Sequence, residues 1–175
     1  TAAKQGDGLD INSLRLGVTH NRKHDNGWKS TATMNTLATS RGEDGLTLNS
    51  VDLGHKVSKT GLSLNNRVKL DGLGGVESGS TVLTHTGKNK AVKTIKAEYG
   101  NSLALESMSI GYKLNTDRGD GRLSVGGQAG YNLRTDSFDA SLSAGYTKED
   151  LDVAITVGRN ERLGNYAGVG LKWSF

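Results

Sequence analysis

Cysteine and proline are both missing from the 175 residues. Without cysteine there is no disulfide framework, no thiol nucleophile and no cysteine-type zinc site. Without proline, nothing removes a backbone donor from a ladder of paired strands. Aromatics are few: two Trp, five Tyr and two Phe. No stretch approaches the roughly 18 apolar residues of a spanning helix, and no segment of useful length carries helical periodicity. No signal peptide opens the chain at Thr1-Ala2-Ala3-Lys4, so an exported protein would stand here in its mature form. Acidic residues number 18 against 22 Lys and Arg, a net charge of +4. The basic residues never form a block, and they sit on the face opposite the aromatics. That argues against nucleic acid, which calls for both on one exposed face.

What the chain has is glycine, 25 residues of it, and alternation. Apolar and polar residues alternate in segments that recur about every 14 residues, split by Gly, Asn, Asp and Ser. Leu123, Val125, Gly127, Ala129, Tyr131 and Leu133 share one face. After Arg134-Thr135-Asp136-Ser137 come Phe138, Ala140, Leu142, Ala144 and Tyr146. After Thr147-Lys148-Glu149-Asp150 come Leu151, Val153, Ile155 and Val157. The last segment follows 159–165 and places Val169, Leu171, Trp173 and Phe175 on one face. In the N-terminal half, Leu14, Leu16 and Val18 lead to a tight turn at His24-Asp25-Asn26-Gly27. Leu46 and Leu48 then switch parity to Val51, Leu53 and Val57, the pattern of a β-bulge. Residues 71–80 read as a longer loop.

The expected fold is therefore all-β: one domain over 1–175, an antiparallel up-and-down meander closed into a transmembrane β-barrel. The segments count eleven. Single-chain bacterial membrane barrels have an even number of strands, so twelve is expected, with ten as the second choice. The mean hydropathy of −0.50 fits, since a barrel strand shows lipid only every second residue. The polar faces are net basic, carrying Arg15, Lys29, Lys56, Arg67, Lys69, Lys96, Lys113, Arg122, Arg134 and Lys172 against Asp52, Glu98, Asp139 and Asp152. In a membrane barrel this face lines a lumen. The alternative is a soluble all-β binding or structural protein with the apolar face inward. Small Ala, Val, Leu and Gly would leave so wide a soluble interior partly empty, which costs stability.

The closing Gly170-Leu171-Lys172-Trp173-Ser174-Phe175 resembles the last strand of the bacterial outer-membrane β-barrel superfamily. There, a terminal aromatic on the apolar face is read by the barrel assembly machinery. The resemblance assigns that assembly signal to Gly170, Leu171, Trp173 and Phe175. Arg15-Leu16-Gly17-Val18 running into His24-Asp25-Asn26-Gly27-Trp28 is similar to the small monomeric oligogalacturonate-type porins. The likeness implies a monomeric twelve-stranded barrel in the outer membrane of a Gram-negative bacterium, surrounded by lipid and passing acidic oligosaccharides. The chain is shorter than those relatives, and a first strand before Leu9 is expected to be lacking.

The candidate lumen residues are Arg15, Lys29, Arg67, Lys69, Lys96, Arg122 and Arg134. Inward-pointing cations raise the local anion concentration and select small anionic solutes, and Arg can hold a carboxylate in bidentate fashion. The competing reading pairs these cations with Asp52, Glu98, Asp139 and Asp152 in a structural network. No cofactor or metal is expected. His20 and His24, four apart on a strand, stand about 13 Å apart, and no metal-binding spacing occurs. Nothing marks out a Ser-His-Asp set, so no enzymatic activity is expected. Trp28, Tyr99, Tyr112, Tyr131, Tyr146, Trp173 and Phe175 are expected near strand ends on the apolar face, as in interfacial girdles.

Overall fold

The computed structural model describes residues 2–5, 8–11, 13–40, 46–149, 151–161 and 164–173. The alternating segments are strands: β1 (Ala2–Gln5), β2 (Gly8–Ile11), β3 (Ser13–Lys23), β4 (Lys29–Ser40), β5 (Leu46–Lys59), β6 (Leu62–Asp71) and β7 (Val76–Thr86). They continue as β8 (Val92–Tyr99), β9 (Leu105–Arg118), β10 (Gly121–Asn132), β11 (Ser137–Lys148), β12 (Leu151–Asn160) and β13 (Gly164–Trp173). A single 3-10 turn at Asn101–Leu103 is the one helical element among the described residues. Strands β3 to β13 form an eleven-stranded antiparallel sheet in chain order, an up-and-down meander, while β1 and β2 pair as a separate hairpin. The main sheet thus holds eleven strands where twelve were expected. A strand does precede Leu9, where none was expected: Leu9 lies in β2 opposite Lys4 of β1.

The described residues divide into two compact units. The first comprises 1–59, 64–81 and 98–105; the second comprises 60–63, 82–97 and 106–175. In the second unit the registers put like with like. Val125 faces Leu114 and Ala144, Gly127 faces Tyr112 and Leu142, and Ala129 faces Ile110 and Ala140. Ala144 faces Ile155, which faces Val169. One face is therefore apolar across β9 to β13, because pairing partners in an antiparallel ladder share a side. In the first unit Val18, Met34 and Leu53 form such a row.

The parity switch at 48–51 is a β-bulge. Ala38 pairs with Leu48 and Thr36 with Val51, so Asn49 and Ser50 both stand opposite Leu37. The Asn49 amide donates to Thr39 Oγ1 at 2.7 Å. The turns follow their residue chemistry. Gly27 takes φ +81, and the Trp28 N–H donates to Asn26 Oδ1 at 3.3 Å.

Two connections are shorter than their sequence suggests. Residues 71–80 are not a long loop, because β6 runs to Asp71 and β7 starts at Val76. Asp71 Oδ1 accepts from the Leu73 and Gly75 N–H groups at 2.9 and 2.8 Å and closes the turn. The link before the last strand is likewise short, since β12 reaches Asn160 and β13 begins at Gly164.

Among the described residues Ala91 is the only buried apolar one, at 5% exposure.

Candidate functional site

The two faces of the sheet define the candidate site. On the apolar face of the second unit, the side chains that would fill a soluble core are open: Ile110 is 61% exposed, Leu142 65% and Val169 77%. On β9, Met108, Ile110 and Tyr112 are exposed while Ser107, Ser109 and Gly111, on the opposite face, are half-buried. This inverts the arrangement of a water-soluble domain. Aromatics mark both ends of the apolar band on β10 and β11. Tyr146 pairs with Leu123 at one end, and Tyr131 pairs with Phe138 at the other. Eight residues separate these levels, about 27 Å along the strand, or about 21 Å along a membrane normal at a tilt of roughly 40°. That is close to the ~25 Å apolar band of membrane barrels. Tyr112, expected near a strand end, instead sits mid-band beside Gly127. A hollow of about 1140 Å³ lies on this face against Ile110, Val125, Leu142 and Val157.

The wet face of the second unit is built of small residues around a concavity of about 630 Å³, which Lys96, Lys113, Ser124, Gly126, Gln128 and Thr156 help to line. Its charges nearly balance: Lys96, Lys113, Arg122 and Lys172 against Asp117, Asp139 and Asp152. The wet face of the first unit does not balance. Register and alternation place Arg15, Lys23, Lys29, Lys56, Arg67 and Lys69 there, against Asp52, Glu77 and Glu98.

The seven candidate cations have different surroundings. Arg15, Lys29 and Arg67 are exposed on the first unit's wet face. Lys69 binds Glu77 at 2.8 Å. Lys96 lines the wet concavity of the second unit. Arg122 faces Asp117 across the β9–β10 ladder and pairs with it at 3.4 Å, and Lys90 holds the same carboxylate at 2.8 Å. Arg134 is not on a strand face at all. It lies in the turn between β10 and β11, its Nη1 3.7 Å from Glu106. Asn132 Oδ1 accepts from the Arg134 and Thr135 N–H groups at 2.9 and 3.0 Å, which bends the chain out of the ladder before Arg134. Lys69, Arg122 and Arg134 make ion pairs, but with Glu77, Asp117 and Glu106 and not with the Asp52, Glu98, Asp139 and Asp152 of the competing reading.

Gly170, Leu171 and Trp173 lie on β13, where the two side chains are 70% and 65% exposed. Phe175 lies outside the described residues. Lys23 was missed by the alternation, although the Asn-Gly turn that predicts the β3–β4 hairpin also sets Lys23 opposite Lys29. Tyr166 was missed too. It lies on the wet face, its ring over Gly158 where a Cβ would come within 2.6 Å.

The histidines do not converge. His24 Nε2 is 3.1 Å from Ser30 Oγ, while His20 and His55 flank Ala32 on the apolar face. Among the described residues no cluster of His, Asp and Glu of the kind that holds a metal occurs, and no helix is long and apolar enough to cross a membrane. Comparison with known protein families, with curated proteins and with solved structures finds no match for this chain.

Proposed function

We propose that this chain is a monomeric outer-membrane channel of a Gram-negative bacterium, whose sheet closes into a barrel with the apolar face toward lipid. Its lumen is lined by the wet face and passes small anionic solutes, acidic oligosaccharides among them. The observation that carries the reading is the inverted exposure. Large apolar side chains stand open in a band about 21 Å deep between aromatic levels, and Ala91 is the only buried apolar residue among the described ones. In water such a face would be an aggregation surface; in lipid it needs no covering. The excess of cations on β3–β6 supports anion preference. The likeness of the β13 residues to a barrel-closing strand supports delivery by the outer-membrane assembly machinery.

Strand parity adds a structural consequence. In an up-and-down order, β3 and β13 are ten strands apart and run in the same direction. Closing eleven strands requires a parallel seam between them; closing twelve requires one further strand antiparallel to both. The hairpin strands β1 and β2, four residues each, are too short to span a bilayer, which takes about 9–11 residues.

The competing reading, a soluble all-β protein with the apolar face inward, rests on the 1140 Å³ hollow at Ile110, Val125 and Leu142. Refolding the chain in plain buffer and in detergent separates the two. Folding only in detergent, with heat-modifiable gel mobility and anion-selective conductance in planar bilayers, is the expected result. A monodisperse, cooperatively melting species in buffer would favour the soluble reading. A folded barrel without conductance, or with cation preference, would remove the anion channel.

A further inference from the structure

We propose that Lys23, Lys29 and Lys56 form a docking site for compact polyanions of the phosphate type, at the hairpin end of the wet face of β3–β5. The inference deepens the channel reading, which places this end at a lumen mouth, but the site itself is a property of one unit. Lys23 pairs directly with Lys29, and Lys29 with Ser58; Lys56 pairs with Thr31 one wet-face step along. Directly opposed residues have Cβ atoms about 5 Å apart and diagonal ones about 7–8 Å. Three ammonium groups on flexible stems therefore share one small patch.

The patch has no internal counter-charge. All three lysines are exposed, and none makes an ion pair among the described residues. The nearest acid on the same face of β5 is Asp52, four residues from Lys56, about 13 Å along the strand. The neutral neighbours are engaged with one another: Thr31 Oγ1 donates to Asn21 Oδ1 at 2.7 Å. Asp25, in the adjoining turn, is the single acid of this end. Like charges directly opposite one another destabilise a ladder, and a bound polyanion reverses the sign of that interaction. The opposite face adds Arg22, in the row of Ser30 and Val57, and Lys59, whose ammonium lies 5.9 Å from the Trp28 ring centroid.

The residue type selects the ligand. Arginine presents a planar fork that grips a carboxylate or a phosphate in bidentate fashion; lysine acts as a point charge with freely turning donors. Three lysines without an arginine on the wet side read charge multiplicity. The phosphates can come from a free polyphosphate or from a lipid headgroup, and the two sources approach different faces.

The test uses the full chain folded in zwitterionic detergent with Trp173→Phe, which leaves Trp28 as the sole tryptophan. Titration with tripolyphosphate is expected to give a saturable change in Trp28 emission that weakens as salt rises. The variant carrying Lys23→Gln, Lys29→Gln and Lys56→Gln should bind about tenfold more weakly or worse, while Arg22→Gln changes affinity less than about twofold. Lys29→Gln alone serves if the triple variant does not fold. An emission response to tripolyphosphate that is absent, or unchanged in the triple variant, overturns the proposal. Phosphatidylcholine vesicles with and without phosphatidic acid test the lipid source. A response there that depends on Arg22 and Lys59, with none to tripolyphosphate, would move the site to the apolar face and overturn the wet-face assignment. Binding is read without conductance, so a failed channel reading and a failed docking site give different results.

Discussion

Leu142→Arg is the sharpest perturbation of the inverted sheet. Leu142 is central in the apolar band of β11, four residues from both Phe138 and Tyr146, so each aromatic level is about 13 Å away along the strand. At a tilt of roughly 40° this sets Leu142 about 10 Å inside either boundary. Arginine at the midplane of a membrane barrel costs about 2–4 kcal/mol, a loss of some 30- to 1,000-fold in the folding constant. If the face stood in water, a side chain 65% exposed would tolerate the change within about 0.5 kcal/mol. The neighbouring Ser143→Arg points to the wet face and should cost under about 1 kcal/mol, whereas Phe138→Arg, at the boundary, should fall between the two. The assay is reversible denaturant folding into phosphatidylcholine vesicles, followed by tryptophan emission and gel mobility. A Leu142→Arg cost below about 0.5 kcal/mol, or a Ser143→Arg cost equal to it, would refute the assignment of faces.

Further outcomes can be read with the same folding assay. Gly121→Ala drives a Cβ into the Tyr146 phenol, so overpacking should cost about 1–3 kcal/mol, and adding Tyr146→Ala should relieve most of it. Deleting Asn49 removes the bulge yet keeps Leu48 and Val51 on one face, so the chain should still fold, losing about 1 kcal/mol with the Thr39 bond. Deleting Gly126 from the regular β10 turns half that strand inside out and should abolish the heat-modifiable band. Asp71→Ala removes the acceptor of two turn N–H groups and should lower stability by about 1–2 kcal/mol; an unchanged midpoint would count against that turn geometry.

The C-terminal strands were legible because each of their faces is chemically uniform and their hairpins are tight. Val125, Gly127 and Ala129 alternate without interruption, and the registers pair them with the residues the pattern selects. The bulge was legible for the same reason, since an extra residue shows as a parity switch between Leu48 and Val51. The start of β7 was not legible. Ser78, Gly79 and Ser80 have the composition of a loop, and pairing with β6 makes them a strand. Arg134 failed differently: alternation continues past Asn132 on paper, but the Asn132 side chain accepts from the Arg134 and Thr135 N–H groups and ends the ladder. Net positive charge could be counted in the sequence. That it concentrates on β3–β6 requires register, because Lys23 meets Lys29 only once the hairpin is closed.

On the channel reading, the two units contribute different properties to the wet face. The second unit's wet face is small because its neighbours leave no room for more. A Cβ on Gly145 would stand 2.9 Å from Ser124 Oγ, one on Gly130 2.9 Å from Asp139 Oδ2, and one on Gly158 2.6 Å from the Tyr166 ring. Short side chains lying across glycines keep the concavity of about 630 Å³ clear without leaving the backbone bare. Charge there nearly cancels, with Lys96, Lys113, Arg122 and Lys172 against Asp117, Asp139 and Asp152. In the first unit the long cations Arg15, Lys23, Lys29, Lys56 and Arg67 stand free of ion pairs among the described residues. Exposed cations act over about a Debye length, roughly 8 Å at physiological salt, so they bias what enters without needing to touch it. Small residues in one unit therefore set the clearance for a solute, and unpaired lysines and arginines in the other set its sign. Substitutions that change selectivity should map to β3–β6, and those that change conductance to β9–β12.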